Sequence, residues 1–152
     1  MRPIELVNWE LDYSVDVVEL DSQHRELMNL VNDMINHSTD NETERKKYFQ
    51  RIIFVASSHV AKHFDTEEKV LSRTNYGIFE EHKKEHKKIT EKIKAIQDEL
   101  GNNNGDIALQ NLTVTLKEYF LSHILLYDKE AKEFFKAGSK IIASADFQAG
   151  IV

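Results

Sequence analysis

The chain has no cysteine in its 152 residues. Disulfides, iron–sulfur clusters and thiolate zinc sites all need sulfur, so all three are excluded. The same absence fits a cytoplasmic setting, which is the expected location. A single proline and five glycines leave long stretches in which nothing interrupts a helix. No apolar run approaches the ~20 residues that a bilayer span requires, so no membrane segment is expected. The opening residues, MRPIELVNWELDY, lack a basic stretch followed by an apolar one and do not read as a secretion signal. Positive charge is not in excess: 20 basic against 26 acidic side chains give a net charge of -6. That balance argues against nucleic acid or an anionic membrane as a partner.

What is present is helical periodicity. Asp21 reads as the N-cap of a first helix over 22–37, with the stripe Leu27, Leu30, Val31, Met34 and Ile35. Asn41, with Glu44 three residues on, reads as the start of a second helix over 42–72. Its stripe is Phe49, Ile52, Ala56, Val60, His63, Glu67 and Val70. A third helix over 78–100 carries Phe79, His82, His86, Ile89, Ile93, Ile96 and Leu100, with Gly101 as its cap and 102–105 as a turn. A fourth over 107–136 carries Leu109, Leu112, Leu116, Tyr119 and His123, and Gly138 reads as its end. Four long periodic segments on short loops predict an all-α, up-down-up-down antiparallel four-helix bundle. Residues 1–20 are expected to form an extended arm packed on it. The whole chain, 1–152, reads as one domain, with its core at about 7–136 and a C-terminal extension over 137–152.

The core stripes carry residues that do not belong in a plain core. His24, His63, Glu67, His82, His86, His123 and Asp128 fall in the series H…H-x-x-x-E…H-x-x-x-H…H-x-x-x-x-D. One histidine on an apolar face is usually a hydrogen-bonded core residue. Five imidazoles and two carboxylates buried together are prohibitive without compensating charge, and a metal pair supplies it. Residues four apart on a helix share a face, so His63/Glu67 and His82/His86 each point one way. Imidazole and carboxylate without sulfur suit iron, zinc or manganese. Structural zinc closes at four ligands, so seven are too many for one zinc. Two bridging carboxylates and five histidines give nine protein bonds to two ions. A single-atom bridge adds two more, leaving one of twelve octahedral positions open for a small molecule. His123 and Asp128 are awkward, because five residues on an ideal helix separate side chains by about 140°. A local π-type widening near 123–128 is expected.

The stretches V-N-W at 7–9, D-S-Q-H-R-E-L at 21–27, H-F-D-T-E-E at 63–68, H-K-K-E-H at 82–86 and H-I-L-L-Y-D at 123–128 resemble those of bacterial hemerythrin domains. The resemblance runs from about residue 7 to 136 and includes all seven ligand positions in order. It implies two non-haem Fe ions, oxo- or hydroxo-bridged. His82, His86 and His123 would hold one iron, His24 and His63 the other, and Glu67 and Asp128 would bridge them. It further implies O2 binding at the open iron, with an O2 pocket lined by Leu27, Phe64, Phe120 and Ile124. The chain departs from the usual pattern at His59, Leu71, Gly77, Tyr119 and Phe120, none of which removes a ligand.

The function expected from this resemblance is reversible O2 binding for storage, delivery or buffering, without enzymatic activity. The alternative is sensing of O2, redox state or nitric oxide through the same site. No signalling module accompanies these residues, which favours the carrier. Ferritin-like oxidases build their sites from four carboxylates and two histidines in E-x-x-H repeats, a pattern that places no ligand here. Two histidines lie outside the series. His59 is expected as a packed neighbour of His63, and His37 as a surface residue favoured by the helix dipole. Lysines 83, 84, 87 and 88 read as a solvated helix face.

Overall fold

The computed structural model describes residues 5–9, 13–99 and 105–148, without the side chains of 120, 121 and 146–148. Among these the fold is all helical. The long elements are α1 (Val18–His37), α2 (Glu42–Leu71), α3 (Phe79–Asp98) and α4 (Gly105–Glu118). A π-helical segment, Tyr119–Asp128, continues α4, and α5 (Lys132–Gln148) follows it. The long helices pack side by side as a bundle. α2 packs against α1, α3, α4 and α5, and α4 also packs against α1 and α3. The predicted cap Gly101, turn residues 102–104 and Leu100 lie outside the described residues; Gly105, expected in that turn, instead opens α4.

The stripes expected from periodicity are buried, except Leu30, Phe79 and Ile89, which are half-buried at the rim of the core. On α2, Phe49, Ile52, Ala56, Val60, His63, Glu67 and Val70 are all buried. Asn41 caps this helix as expected, its side chain accepting from the Glu44 N–H at 3.0 Å. Of the expected arm over 1–20, residues 5–9 pack on the bundle, 1–4 and 10–12 lie outside the described residues, and 18–20 belong to α1 instead. Asn32 receives the Val7 N–H and donates to the Val7 carbonyl, each at 2.7 Å. Lys117 reaches the Glu5 carbonyl at 2.7 Å, and the Arg25 guanidinium lies 4.6 Å from the Trp9 ring centre.

Three expectations are corrected. Asp21 is not the N-cap of α1; the helix begins at Val18, and Asp21 lies inside its first turn. Its carboxylate instead accepts from the Val15 N–H at 2.9 Å and the Ser14 hydroxyl at 2.6 Å. That fixes the chain's entry, in which Asp16 takes a left-handed φ of 57° and pairs with Lys132 at 2.9 Å. Nor does Gly138 end a helix. It lies within α5, where a Cβ would collide with the Val70 carbonyl of α2 and stand 2.9 Å from Val70 Cγ1. Glycine lets two helices touch here, and the expected tail is helical through Gln148. His59, finally, is not packed: its side chain is 43% exposed, 3.7 Å from Glu26.

Two apolar clusters fill the interior. One holds Leu27, Phe64, Tyr119 and Ile124 among many others; the second holds Leu20, Val70, Tyr76, Ala131 and Phe135. Along α1 the order is Leu20, His24, Leu27. Along α2 it is Phe64, Glu67, Val70, and along the fourth column Ile124, Asp128, Ala131. The polar side chains therefore form one layer across the bundle, with apolar clusters above and below.

Candidate metal centre

Each long helix contributes to that layer. α1 supplies His24, α2 supplies His63 and Glu67, α3 supplies His82 and His86, and the π segment supplies His123 and Asp128. All seven are buried, with Glu67, Asp128, His24 and His82 at 0% exposure. The π segment is what lets the last pair converge. Its final turn closes with the Lys129 N–H on the Ile124 carbonyl, five residues back rather than four. Residues five apart then share a face, and His123 Nε2 lies 3.1 Å from Asp128 Oδ1.

The two carboxylates divide the histidines between their oxygens. Glu67 Oε1 faces His24 Nε2 at 3.2 Å and His63 Nε2 at 2.6 Å. Asp128 Oδ2 faces His24 Nε2 at 3.2 Å. Glu67 Oε2 faces His82 and His86 Nε2 at 3.1 and 3.0 Å, and Asp128 Oδ1 faces His82 and His123 Nε2 at 3.1 Å each. Two overlapping sets result: His24, His63, Glu67 and Asp128; and Glu67, His82, His86, His123 and Asp128. Within each set the candidate ligand atoms lie within 4.8 Å of one another.

The electrostatics describe a site built around positive charge. Burial works to lower the His24 and His82 pKa values, but the facing Asp128 and Glu67 carboxylates overrule it. His24 is lifted to about 9 and His82 to about 10. Burial likewise opposes ionisation of Glu67 and Asp128, yet the surrounding imidazoles hold Glu67 well below the usual carboxylate range and Asp128 below it too. His63 is lowered, because burial dominates there. Charge sharing does not account for every close approach. His63 Nε2, His123 Nε2 and both Asp128 oxygens are buried without hydrogen-bond geometry to a partner among the described residues. Nitrogens and oxygens aimed at common points, close yet without hydrogen-bond angles, fit a pair of cations between them.

The remaining expected residues stand around this layer. Leu27, Phe64 and Ile124 are buried in the larger apolar cluster. The Phe64 ring stacks on His86, 3.9 Å between centres and 6° from parallel. The Phe120 side chain lies outside the described residues. His37 stacks on Tyr48 at 3.9 Å and pairs with Asp40 at 2.7 Å, away from the layer. Lysines 83, 84, 87 and 88 are exposed, as the pattern predicts.

Two neighbours are not evident from the sequence pattern, and a third, Tyr119, stands on the stripe that also carries His123. Gln23 Oε1 lies 2.7 Å from His63 Nδ1, and Glu68 Oε2 lies 3.0 Å from His86 Nδ1. Each is adjacent in sequence to a site residue but serves a histidine on the facing helix, since side chains one apart diverge by about 100°. Adjacency to a ligand position is the signal that could have found them. Tyr119, buried at 3% exposure, stands edge-on to His24 and His63 and stacks on His123 at 5.0 Å between centres.

Comparison with known proteins agrees with this geometry. The family model described as "Hemerythrin HHE cation binding domain" matches residues 15–135. A hemerythrin polypeptide of Sipunculus nudus is 24% identical over 125 residues, covering 82% of this chain and 90% of that protein.

Proposed function

The chain belongs to the hemerythrin family, and on that premise we propose that it binds O2 reversibly at a carboxylate-bridged pair of non-haem iron ions. Its role on this reading is to store, deliver or buffer O2. The observation that carries the reading is the division of carboxylate oxygens: one oxygen of Glu67 and one of Asp128 face each set of histidines. We assign His82, His86 and His123 to one iron, His24 and His63 to the other, and Glu67 and Asp128 to both. A di-iron centre held by these residues would supply two electrons for binding O2, on the side with fewer histidines.

The protein's part is positioning and exclusion. Four helical columns fix the nitrogens before metal arrives. Leu27, Phe64 and Ile124 are buried in the apolar cluster beside the layer, and with Phe120 we assign them as the wall of the O2 pocket. Such a wall keeps out the water that would protonate and expel a reduced oxygen species. A histidine-rich donor set favours higher oxidation states less than the carboxylate-rich sets of di-iron oxidases, so we assign binding rather than catalysis. Among the described residues no helix is long and apolar enough to cross a membrane. We place the protein in the cytoplasm, on the absence of cysteine, and assign it no nucleic-acid partner, on its net charge of -6.

Elemental analysis tests the metal assignment. Protein purified from iron-replete cells should hold two irons per chain, with an oxo-bridge charge-transfer band in the near ultraviolet. One zinc per chain and no iron would overturn it.

A further inference from the structure

Two of the five site histidines engage a side chain through their second nitrogen, and the two partners differ in charge. His86 Nδ1 lies 3.0 Å from the Glu68 carboxylate, and His63 Nδ1 lies 2.7 Å from the Gln23 amide oxygen. With each Nε2 turned to the bridging carboxylates, Nδ1 carries the ring proton and donates it to these oxygens. His24, His82 and His123 have a buried Nδ1 without a hydrogen-bond partner among the described residues. The charged and the neutral partner thus fall on opposite histidine sets.

We propose that Glu68 and Gln23 are positioning residues that make the two half-sites electronically unequal; the inference rests on the di-iron reading above. A carboxylate draws the Nδ1 proton more strongly than an amide carbonyl does. The ring then becomes a stronger donor through Nε2, which holds its metal more tightly and favours the oxidised ion. Glu68 does this for His86, in the three-histidine set. Gln23 orients His63 with little added electron density, and its own Nε2 is tied to Thr66 Oγ1 at 3.2 Å. The surroundings explain why a carboxylate is tolerated at one place. The Glu68 side chain is 30% exposed and lines a groove of about 650 Å³ between α2 and α3, shared with Phe64, His86, Lys83 and Lys87. Its charge stays partly hydrated at the groove while one oxygen reaches inward.

The test compares Glu68→Gln, which keeps an oxygen acceptor for His86 and removes the charge, with Gln23→Glu, which adds charge at His63. Midpoint potentials of the iron-loaded proteins are expected to move in opposite directions, upward for Glu68→Gln and downward for Gln23→Glu. Glu68→Gln should also release metal to a chelator about tenfold faster, with an unchanged melting curve in the metal-free form. Glu68→Leu, which loses bond and charge together, should release it faster still. Potentials that are unchanged, or that shift with the same sign, overturn the inference, because a purely structural role gives no opposed pair. The release order is repeated with cobalt(II) as the probe. It should hold whichever metal the cell loads, so loss of the iron assignment and loss of this inference remain separate results.

Discussion

Glu67 touches both half-sites, and no other carboxylate among the described residues meets as many histidines: four of them lie within 3.2 Å of its two oxygens. Glu67→Ala is therefore expected to lose most of the bound metal while the helices still form, measured as metal per chain beside a circular dichroism spectrum. Leu27 is different. It is buried against the layer without offering a donor, so Leu27→Ala should keep two irons per chain. It should cost about 2–5 kcal/mol of stability and speed oxidation of the reduced protein, followed as growth of the near-ultraviolet band in air. Five of the seven polar site residues, His63, Glu67, His82, His86 and His123, are legible because each stands in an apolar stripe, whereas His24 and Asp128 are legible only through the series they complete. Gln23 and Glu68 are not, because they flank their stripes and act on the facing helix. His59 shows the opposite error: four residues from His63 it shares a face by spacing, yet it turns to Glu26 at the surface.

The π segment shows how an element, rather than a residue, brings Asp128 to the polar layer. The spacing of five between His123 and Asp128 cannot converge on a regular helix, and that mismatch foretells the widening between Tyr119 and Asp128. Deleting Leu126, which is 64% exposed, leaves the two residues four apart. The segment should then become α-helical and still load metal. Inserting one alanine at the same place sets them six apart, about 240° on an ideal helix, and should abolish loading. Equal metal content in both variants would contradict this account of the segment. Gly138 is legible only as a helix breaker, because a sequence does not reveal which backbone will approach it. Gly138→Ala must push α5 from Val70, at an expected cost of about 1–3 kcal/mol, read as a melting point lower by several degrees.

At the scale of the whole molecule, the bundle is a polar layer held between two apolar clusters, and its stability depends on what neutralises that layer. In the metal-free protein His24 is raised to about 9 and His82 to about 10. A raised group contributes stability in full below its ordinary value of about 6.5 and loses it as pH climbs through the raised value. Glu67 and Asp128 are depressed, so their contribution is present above about pH 4–4.5 and is lost as pH falls below that. The metal-free bundle should thus soften as pH climbs toward about 10 and as it falls into the acid range, where His63, held down by burial, adds to the loss. Metal takes the same nitrogens without their protons, so loading at neutral pH should release protons and tighten as pH rises. Melting curves of metal-free and loaded protein across that range should diverge on the alkaline side, the loaded form staying higher throughout. Four helices, their order and the ligand layer can all be read from periodicity and residue chemistry. The seating of α5 on α2 and the two-sided sealing of the layer depend on contacts between distant segments. The central claim, that this layer holds O2 and lets it go, is tested most directly by the visible spectrum of the reduced, iron-loaded protein taken in air, after evacuation, and in air again. The expected result is an oxygenated spectrum that disappears under vacuum and returns in full. A single irreversible oxidation, with no oxygenated form recovered on the second exposure, would contradict it.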